Sequence, residues 1–265
     1  MIDYNLEDSV NFIINQIPET IFKADSELEV EQQEVDMQHG QRNFKVMHMF
    51  SATMQPLVEK MARQYLKFPA MVQIGEPGGS KKDIEQRFDF VTNESQRKQK
   101  LSQLLSRHPK APIIIFVNLK LEVDQITEML TKQGRSVTAL HGGKSQDIRE
   151  KSLNALRHGH SDILVCTNVA ARGIDVDNVA HVINYGAPQN IVDYVHRIGR
   201  TGRAGNKGMA TTFINLETDE ELLTDLKKHL IENDQTVPNE IMNFVSSKIR
   251  HQTLGDQTEL QKTTG

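Results

Sequence analysis

The sequence predicts an α/β protein built on a doubly wound, mostly parallel sheet with helices on both faces. Three observations carry this. The apolar runs Ile113–Val117 (IIIFV) and Ile163–Val165 show no alternation, as expected of strands covered on both sides. Between such runs lie longer segments whose apolar positions recur at helical spacing, Leu121–Gln133 among them. Strand and helix signals then alternate along most of the chain, and that order gives parallel strands joined by crossover helices.

Taken in order, Leu6, Val10, Ile13, Ile14 and Ile17 mark a helix over residues 6–17, which Pro18 ends. Residues 19–43 are rich in Glu, Asp and Gln and read as a mobile, solvated insertion. From Phe44 the period changes, giving a strand at Val46–Phe50 and a helix at Gln55–Leu66. Further strands are expected at Met71–Ile74, Glu85–Val91, Ile113–Val117, Ser136–Leu140, Asp162–Cys166, His181–Asn184 and Ala210–Ile214. The matching helices are Glu94–Ser106, Leu121–Gln133, Gln146–Arg157, Ile191–Ile198, Asp219–Asn233 and Pro238–Ser247. From about His251 the chain is polar and reads as a frayed tail.

Composition narrows the function classes. With 37% hydrophobic and 25% charged residues the chain reads as soluble and globular, and no apolar run approaches the roughly 20 residues of a membrane span. A single cysteine, Cys166, rules out an internal disulfide or a cysteine metal site and favours a reducing compartment. The N-terminus lacks a secretory pattern and opens mid-pattern at Met1–Tyr4, so an upstream domain is expected. Net charge is −4, but residues 1–45 hold ten acids and three bases, leaving +3 for the rest (−4 minus −7). The remainder is therefore compatible with a polyanionic partner.

Ligands of such a sheet sit beyond the carboxyl ends of the strands, so the loops there hold the candidate residues. The most specific segment is Tyr194–Gly205 (YVHRIGRTGRAG), which brings His196, Arg197, Arg200 and Arg203 together with three glycines. Guanidinium forks fit phosphate oxygens bidentately, so the spacing predicts a polyphosphate cage at one helix end. Thr167–Val176 (TNVAARGIDV) follows a buried strand; Thr167 and Asn168 can bond backbone or phosphate, Arg172 and Gly173 supply a cation and a turn, and Asp175 suits ribose hydroxyls. His141–Arg149 (HGGKSQDIR) is not a Walker A loop, because Thr138 stands where that motif needs glycine. Its Gly142 and Gly143 still open a helix start toward an anion, with Gln146 and Arg149 on the first turn. Ser51-Ala52-Thr53 alone reads as a helix cap, and Asn118 closes a turn or meets a phosphate.

In this order, HRIGRTGR (196–203), TNVAARGID (167–175), HGGKSQDIRE (141–150), IIIFVN (113–118) and SAT (51–53) resemble the motifs of the DEAD-box RNA helicases. The resemblance covers about residues 1–235 and implies two RecA-like domains with ATP in the cleft between them and RNA across both. By this likeness residues 1–68 are the end of the first RecA-like domain with its acidic insertion, 69–235 the helicase C-terminal RecA-like domain, and 236–265 a helix and polar tail. Residues 1–68 are then expected to fold incompletely or atypically without their parent sheet. The Walker A loop and the Asp-Glu-Ala-Asp box, and with them the Mg²⁺ ligands, belong to the missing part of the first domain.

The likeness implies that Arg200 and Arg203 are arginine fingers, with Gly173 and Asp175 completing the ATP site. It implies RNA-backbone contacts from Asn118, Gly142, Arg149, Thr167 and Arg172, and coupling between the two ligands through Ser51, Thr53 and His196. Asn168 departs from the aspartate more usual after that threonine. The acidic insertion and the sequence around Tyr65–Gly75 look most like the spliceosomal members of the family, which implies RNA and spliceosomal proteins as partners, a nucleus location and a monomer. The other readings are a family member in ribosome biogenesis or translation, a related motor acting on DNA, and a catalytically silent protein-binding module.

Overall fold

A computed structural model of the chain describes residues 7–16, 24, 26–39, 47–51, 56–66, 69–72, 83–168, 176, 179–203 and 206–245. The chain divides into two compact units, Met1–Gly78 and Gly79–Gly265.

The first unit holds helices α1 (Glu7–Asn15), α2 (Glu27–Gln38) and α3 (Pro56–Tyr65). Val58 and Met61 of α3 are buried, and the Tyr65 hydroxyl donates to Asn11 Oδ1 on α1. The acidic insertion, expected to be mobile, contains α2. Ser26 caps it by accepting from the Glu29 amide, and Gln33 Oε1 accepts from the Ala24 amide at 2.9 Å. Leu28, Val35 and Met37 remain exposed, so strong helix formers rather than an apolar face sustain this helix. The expected strand at Val46–Phe50 does not form over its described part, Met47–Phe50, nor does Met71–Ile74 over Met71–Val72. Phe50 is 93% exposed. A strand exists only through its ladder, and among the described residues the first unit offers no strand to pair with.

The second unit is a six-stranded parallel sheet with the order β1-β6-β5-β2-β4-β3. Its strands are β1 (Ile84–Phe90), β2 (Ile113–Val117), β3 (Val137–Leu140), β4 (Ile163–Thr167), β5 (His181–Asn184) and β6 (Gly208–Ile214). The helices are α4 (Glu94–Arg107), α5 (Lys120–Lys132), α6 (Gln146–Arg157), α7 (Ile191–Ile198), α8 (Glu220–Glu232) and α9 (Asn239–Met242). Ile113 lies between Ile163 of β4 and His181 of β5, which makes β2 central and explains why it is apolar throughout.

The pleat sorts the core into two layers. Ile113, Ile115 and Val117 face Leu101 and Leu105 of α4 and Val123, Ile126 and Leu130 of α5. Ile114 and Phe116 face the opposite layer, with Tyr194 and Ile198 of α7, Leu222, Leu226 and Leu230 of α8, and Ile241 of α9. The last helix is shorter than Pro238–Ser247: Pro238 stands at its N-cap and Asn243 ends it, although Ile241 is fully buried. Because every pairing is parallel, the segments after β2, β3, β4 and β5 all leave the same edge of the sheet.

Candidate nucleic-acid and phosphate interface

One buried cation gathers three of those segments. Arg197 of α7 is 3% exposed. Its Nη2 donates to Asn118 Oδ1 after β2 at 2.9 Å, its Nε to Asn168 Oδ1 after β4 at 2.5 Å, and its Nη1 to the Gly186 carbonyl after β5 at 2.6 Å. The guanidinium also stands 5.3 Å from the centre of the Phe116 ring. Burial pulls the Arg197 pKa down to about 10, against the pull of Asp193 one turn earlier, and the side chain stays charged at neutral pH. Taking the charge out of water costs several kcal/mol, and each hydrogen bond to it returns about 1.5–3 kcal/mol. The two nearly cancel, so the clamp contributes position more than net stability.

This corrects the polyphosphate cage expected from spacing alone: Arg197 does not join Arg200 and Arg203. It falls on the buried face with Tyr194 and Ile198, and that apolar stripe was the signal in the sequence that formal charge obscured. Both polar atoms of the Asn118 side chain have a partner within the fold as well. Its Nδ2 donates to the Ala187 carbonyl at 2.9 Å, while its amide and that of Leu119 donate to Glu122 Oε2 at 3.1 and 2.9 Å. Gly186 must be small, because a Cβ there would lie 2.9 Å from the Asn118 amide group.

The segment after β3 runs into α6. The Lys144 amide donates to the His141 carbonyl at 3.0 Å and the Gly143 amide to His141 Nδ1 at 3.2 Å, closing a tight turn. Asp124 of α5 steadies it, with Oδ1 3.1 Å from Lys144 Nζ and Oδ2 3.4 Å from His141 Nε2. Gly142 is exposed beside it. Ser145 stands at the N-cap without a side-chain cap bond, so the first amides of α6 face outward uncapped by it. Arg149 is half-buried on that first turn; its Nη1 donates to Gln146 Oε1 at 3.1 Å and its Nε is buried without a partner. Thr167 is buried at the carboxyl end of β4, and the neighbouring Cys166 thiol is pushed up to about 12 by burial, which makes it inert.

Arg200 and Arg203 follow the same, C-terminal end of α7, just past its C-cap Gly199. Thr201 bridges Val179 ahead of β5, its hydroxyl donating to the Val179 carbonyl, and Gly202 packs its backbone against Ile84 at the start of β1. Gly202 has φ +64°, and a Cβ there would meet Ile84 Cγ1 at 2.5 Å. Arg203 Nε donates to the Gly199 carbonyl at 2.9 Å, and its terminal nitrogens have no partner among the described residues. Such a held fork fits phosphate oxygens. His196 is half-buried in the last turn of α7, next to Arg197. Ser51 is exposed in the first unit; Thr53, Arg172, Gly173 and Asp175 lie outside the described residues. Among the described residues no group of acidic, His and Cys side chains could hold a metal, and no helix is long and apolar enough to cross a membrane.

Residues 96–205 match the helicase conserved C-terminal domain. The chain is similar to the C-terminal domain of the DEAD-box protein Dbp5, at 33% identity over 57% of this chain and 85% of that one, with a TM-score of 0.50. The chain belongs to the DEAD-box helicase family. It is 41% identical over 259 residues to the ATP-dependent RNA helicase ddx23 of Dictyostelium discoideum, covering 98% of this chain and 31% of that protein. It is also similar to the RNA helicase Prp28 of Chaetomium thermophilum bound to ADP, at 38% identity, a TM-score of 0.56, and 82% and 53% coverage of this chain and that one. The chain thus spans about a third of the length of the curated relatives it matches. The second unit is accordingly the family's C-terminal RecA-like domain.

Proposed function

We propose that this chain is the C-terminal part of an ATP-dependent RNA helicase that closes with a preceding RecA-like domain on ATP and RNA, remodelling short duplexes or ribonucleoproteins in pre-mRNA splicing. The observation that carries this reading is what the last turn of α7 brings together. On its buried face Arg197 gathers the segments after β2, β4 and β5; just past the same helix end, Arg203 presents terminal nitrogens without a partner among the described residues. One helix therefore joins a candidate RNA surface to a candidate phosphate contact, as reciprocal binding of two ligands requires.

In this reading Asn118, Gly142, Arg149, Thr167 and Arg172 hold the RNA sugar–phosphate backbone, largely without regard to sequence. Arg200 and Arg203 meet the nucleotide phosphates when the cleft closes, with Gly173 and Asp175 on the nucleoside side. His196 and the Ser51–Thr53 segment relay between the two. ATP, when bound, supplies a phosphoryl group whose transfer develops negative charge on its oxygens. Arg203 is fitted to stabilise that charge because its Nε is already anchored and little freedom remains to be lost. Mg²⁺ is held by the preceding domain, of which residues 1–68 form the end. Spliceosomal proteins are the partners, the nucleus is the compartment, and the protein acts as a monomer; similarity to pre-mRNA-splicing RNA helicases supports the first two.

The test is RNA-stimulated ATP hydrolysis by the chain extended with its preceding domain, compared with Arg203→Ala. Stimulation of the parent and a loss of about 10²-fold or more in the variant are expected. An inert parent or an unimpaired variant would replace this reading by a protein-binding module of the same fold.

A further inference from the structure

At the sheet edge opposite the segments held by Arg197, a cavity of about 400 Å³ opens between the C-terminus of α4 and the amino ends of β5 and β6. We infer that this cavity is a docking site for an acidic, partly apolar peptide segment of a partner protein, receiving a carboxylate against His181 beneath a rim formed by Arg107 and Lys110. The inference is independent of the nucleotide and RNA reading.

Three observations carry it. Arg107 and Lys110 line the cavity and are exposed, and neither has an acidic partner among the described residues. His181 lines its inner wall at 1% exposure; Nε2 lies 2.8 Å from Thr211 Oγ1, while Nδ1 is buried with no partner. A buried polar atom left unpaired costs about 1–3 kcal/mol, and native interiors seldom keep one. With the Thr211 hydroxyl donating to Nε2, Nδ1 carries the ring proton and offers one donor, the complement of a carboxylate oxygen. The rest of the wall includes the apolar groups of Pro109, Ala180 and Met209.

The local charge favours an anion. Arg87 is paired with Glu85 at 2.7 Å and so cancels it, leaving the charges of Arg107 and Lys110. The carbonyl end of α4 contributes only about half a negative charge. Burial, reinforced by His108 and Arg87, holds the His181 pKa down at about 3, so the ring is neutral in these cationic surroundings. The apolar wall favours a side chain with a stem over a free inorganic ion. RNA fits poorly: the lining aromatic ring besides His181 is His108, which stands edge-on to His181 at 86° and has its Nε2 engaged by Arg87 Nη1 at 2.9 Å, leaving no open platform for a base.

The experiment uses the full chain labelled with ¹⁵N-histidine. It is titrated with a synthetic peptide of alternating Glu and Leu, with the same peptide carrying Gln for Glu, and with a single-stranded RNA oligonucleotide. The Glu peptide is expected to shift the ring signals of His181 and His108. Arg107→Glu with Lys110→Glu, both at exposed positions, is expected to weaken that binding at least about 10-fold without moving the unfolding midpoint. Equal binding of the Gln peptide, no shift with the Glu peptide, or indifference to the double variant overturns the proposal. So does an RNA oligonucleotide that moves the same signals and is lost in the double variant, which would make the pocket part of an RNA surface.

Discussion

Arg197 Nη2 lies 2.9 Å from Asn118 Oδ1, across 79 residues of sequence, and this contact locks the segment after the central strand to the helix that leads to Arg200 and Arg203. Arg197→Ala orphans three acceptors at once, those of Asn118, Asn168 and Gly186. The expected loss is about 2–4 kcal/mol, read as a lower urea midpoint. RNA affinity should fall as well, although Arg197 is buried away from any ligand. Arg197→Lys should recover little, because an ammonium cannot span three divergent acceptors. An unchanged midpoint in the alanine variant would refute the clamp.

Asn168 offers a second handle on the same cation. Its neutral oxygen accepts from Arg197 Nε at 2.5 Å, so the nearest opposing charge comes from Asp193, one turn earlier on α7. Asn168→Asp places a carboxylate on the guanidinium and is expected to stabilise the second unit by about 1 kcal/mol at neutral pH. The sign with pH follows from a carboxylate whose folded pKa is depressed by that cation. The gain is complete above the ordinary aspartate pKa and disappears as pH falls through the depressed value. Thermal midpoints of parent and variant at neutral and acidic pH decide it; a gain that persists at the acidic end argues against a charge pair.

How much of this was legible depended on whether the information was local. The strands at 113–117 and 163–167 announce themselves through apolar runs, and β2 and β5 begin and end at the residues expected. Boundaries moved where pairing decides them: β6 starts at Gly208, two residues before the apolar run, because Gly208 pairs with Ile84. Val46–Phe50 carried a strand-like pattern but, among the described residues of its unit, no partner strand. The charge of Arg197 points to an exposed ligand contact, whereas its place on the helix face with Tyr194 and Ile198 determines its burial. The His181 cavity left no mark in the sequence, since it arises from the ends of three elements that meet only in the fold.

Gly202 tests the backbone that carries Arg203. Its φ of +64° is in the left-handed region, and a Cβ would lie 2.5 Å from Ile84 Cγ1. Gly202→Ala therefore combines backbone strain with overpacking against β1 and is expected to cost about 2–4 kcal/mol in denaturant unfolding. Ile84→Ala in the same chain should make the combined loss smaller than the sum of the two single losses, because it removes Cγ1 itself. Two independent, additive losses would show that Ile84 is not the obstacle.

Arg149 separates a phosphate contact from a structural one. Its Nη1 is held by Gln146 Oε1 at 3.1 Å on the first turn of α6, whose N-cap residue Ser145 makes no side-chain cap bond. If the guanidinium meets an RNA phosphate, Arg149→Ala removes one counterion-releasing contact, so the slope of log affinity against log salt should flatten by about 0.7 for a single strand. The loss in affinity should also be similar for unrelated sequences, because a phosphate contact carries no base information. Fluorescence anisotropy with two unrelated oligonucleotides over a salt series, using the chain extended by its preceding domain, measures both quantities. A weaker affinity with an unchanged salt slope would instead assign Arg149 to the packing of α6, and the RNA surface would have to be built from Gly142 and Thr167 without it.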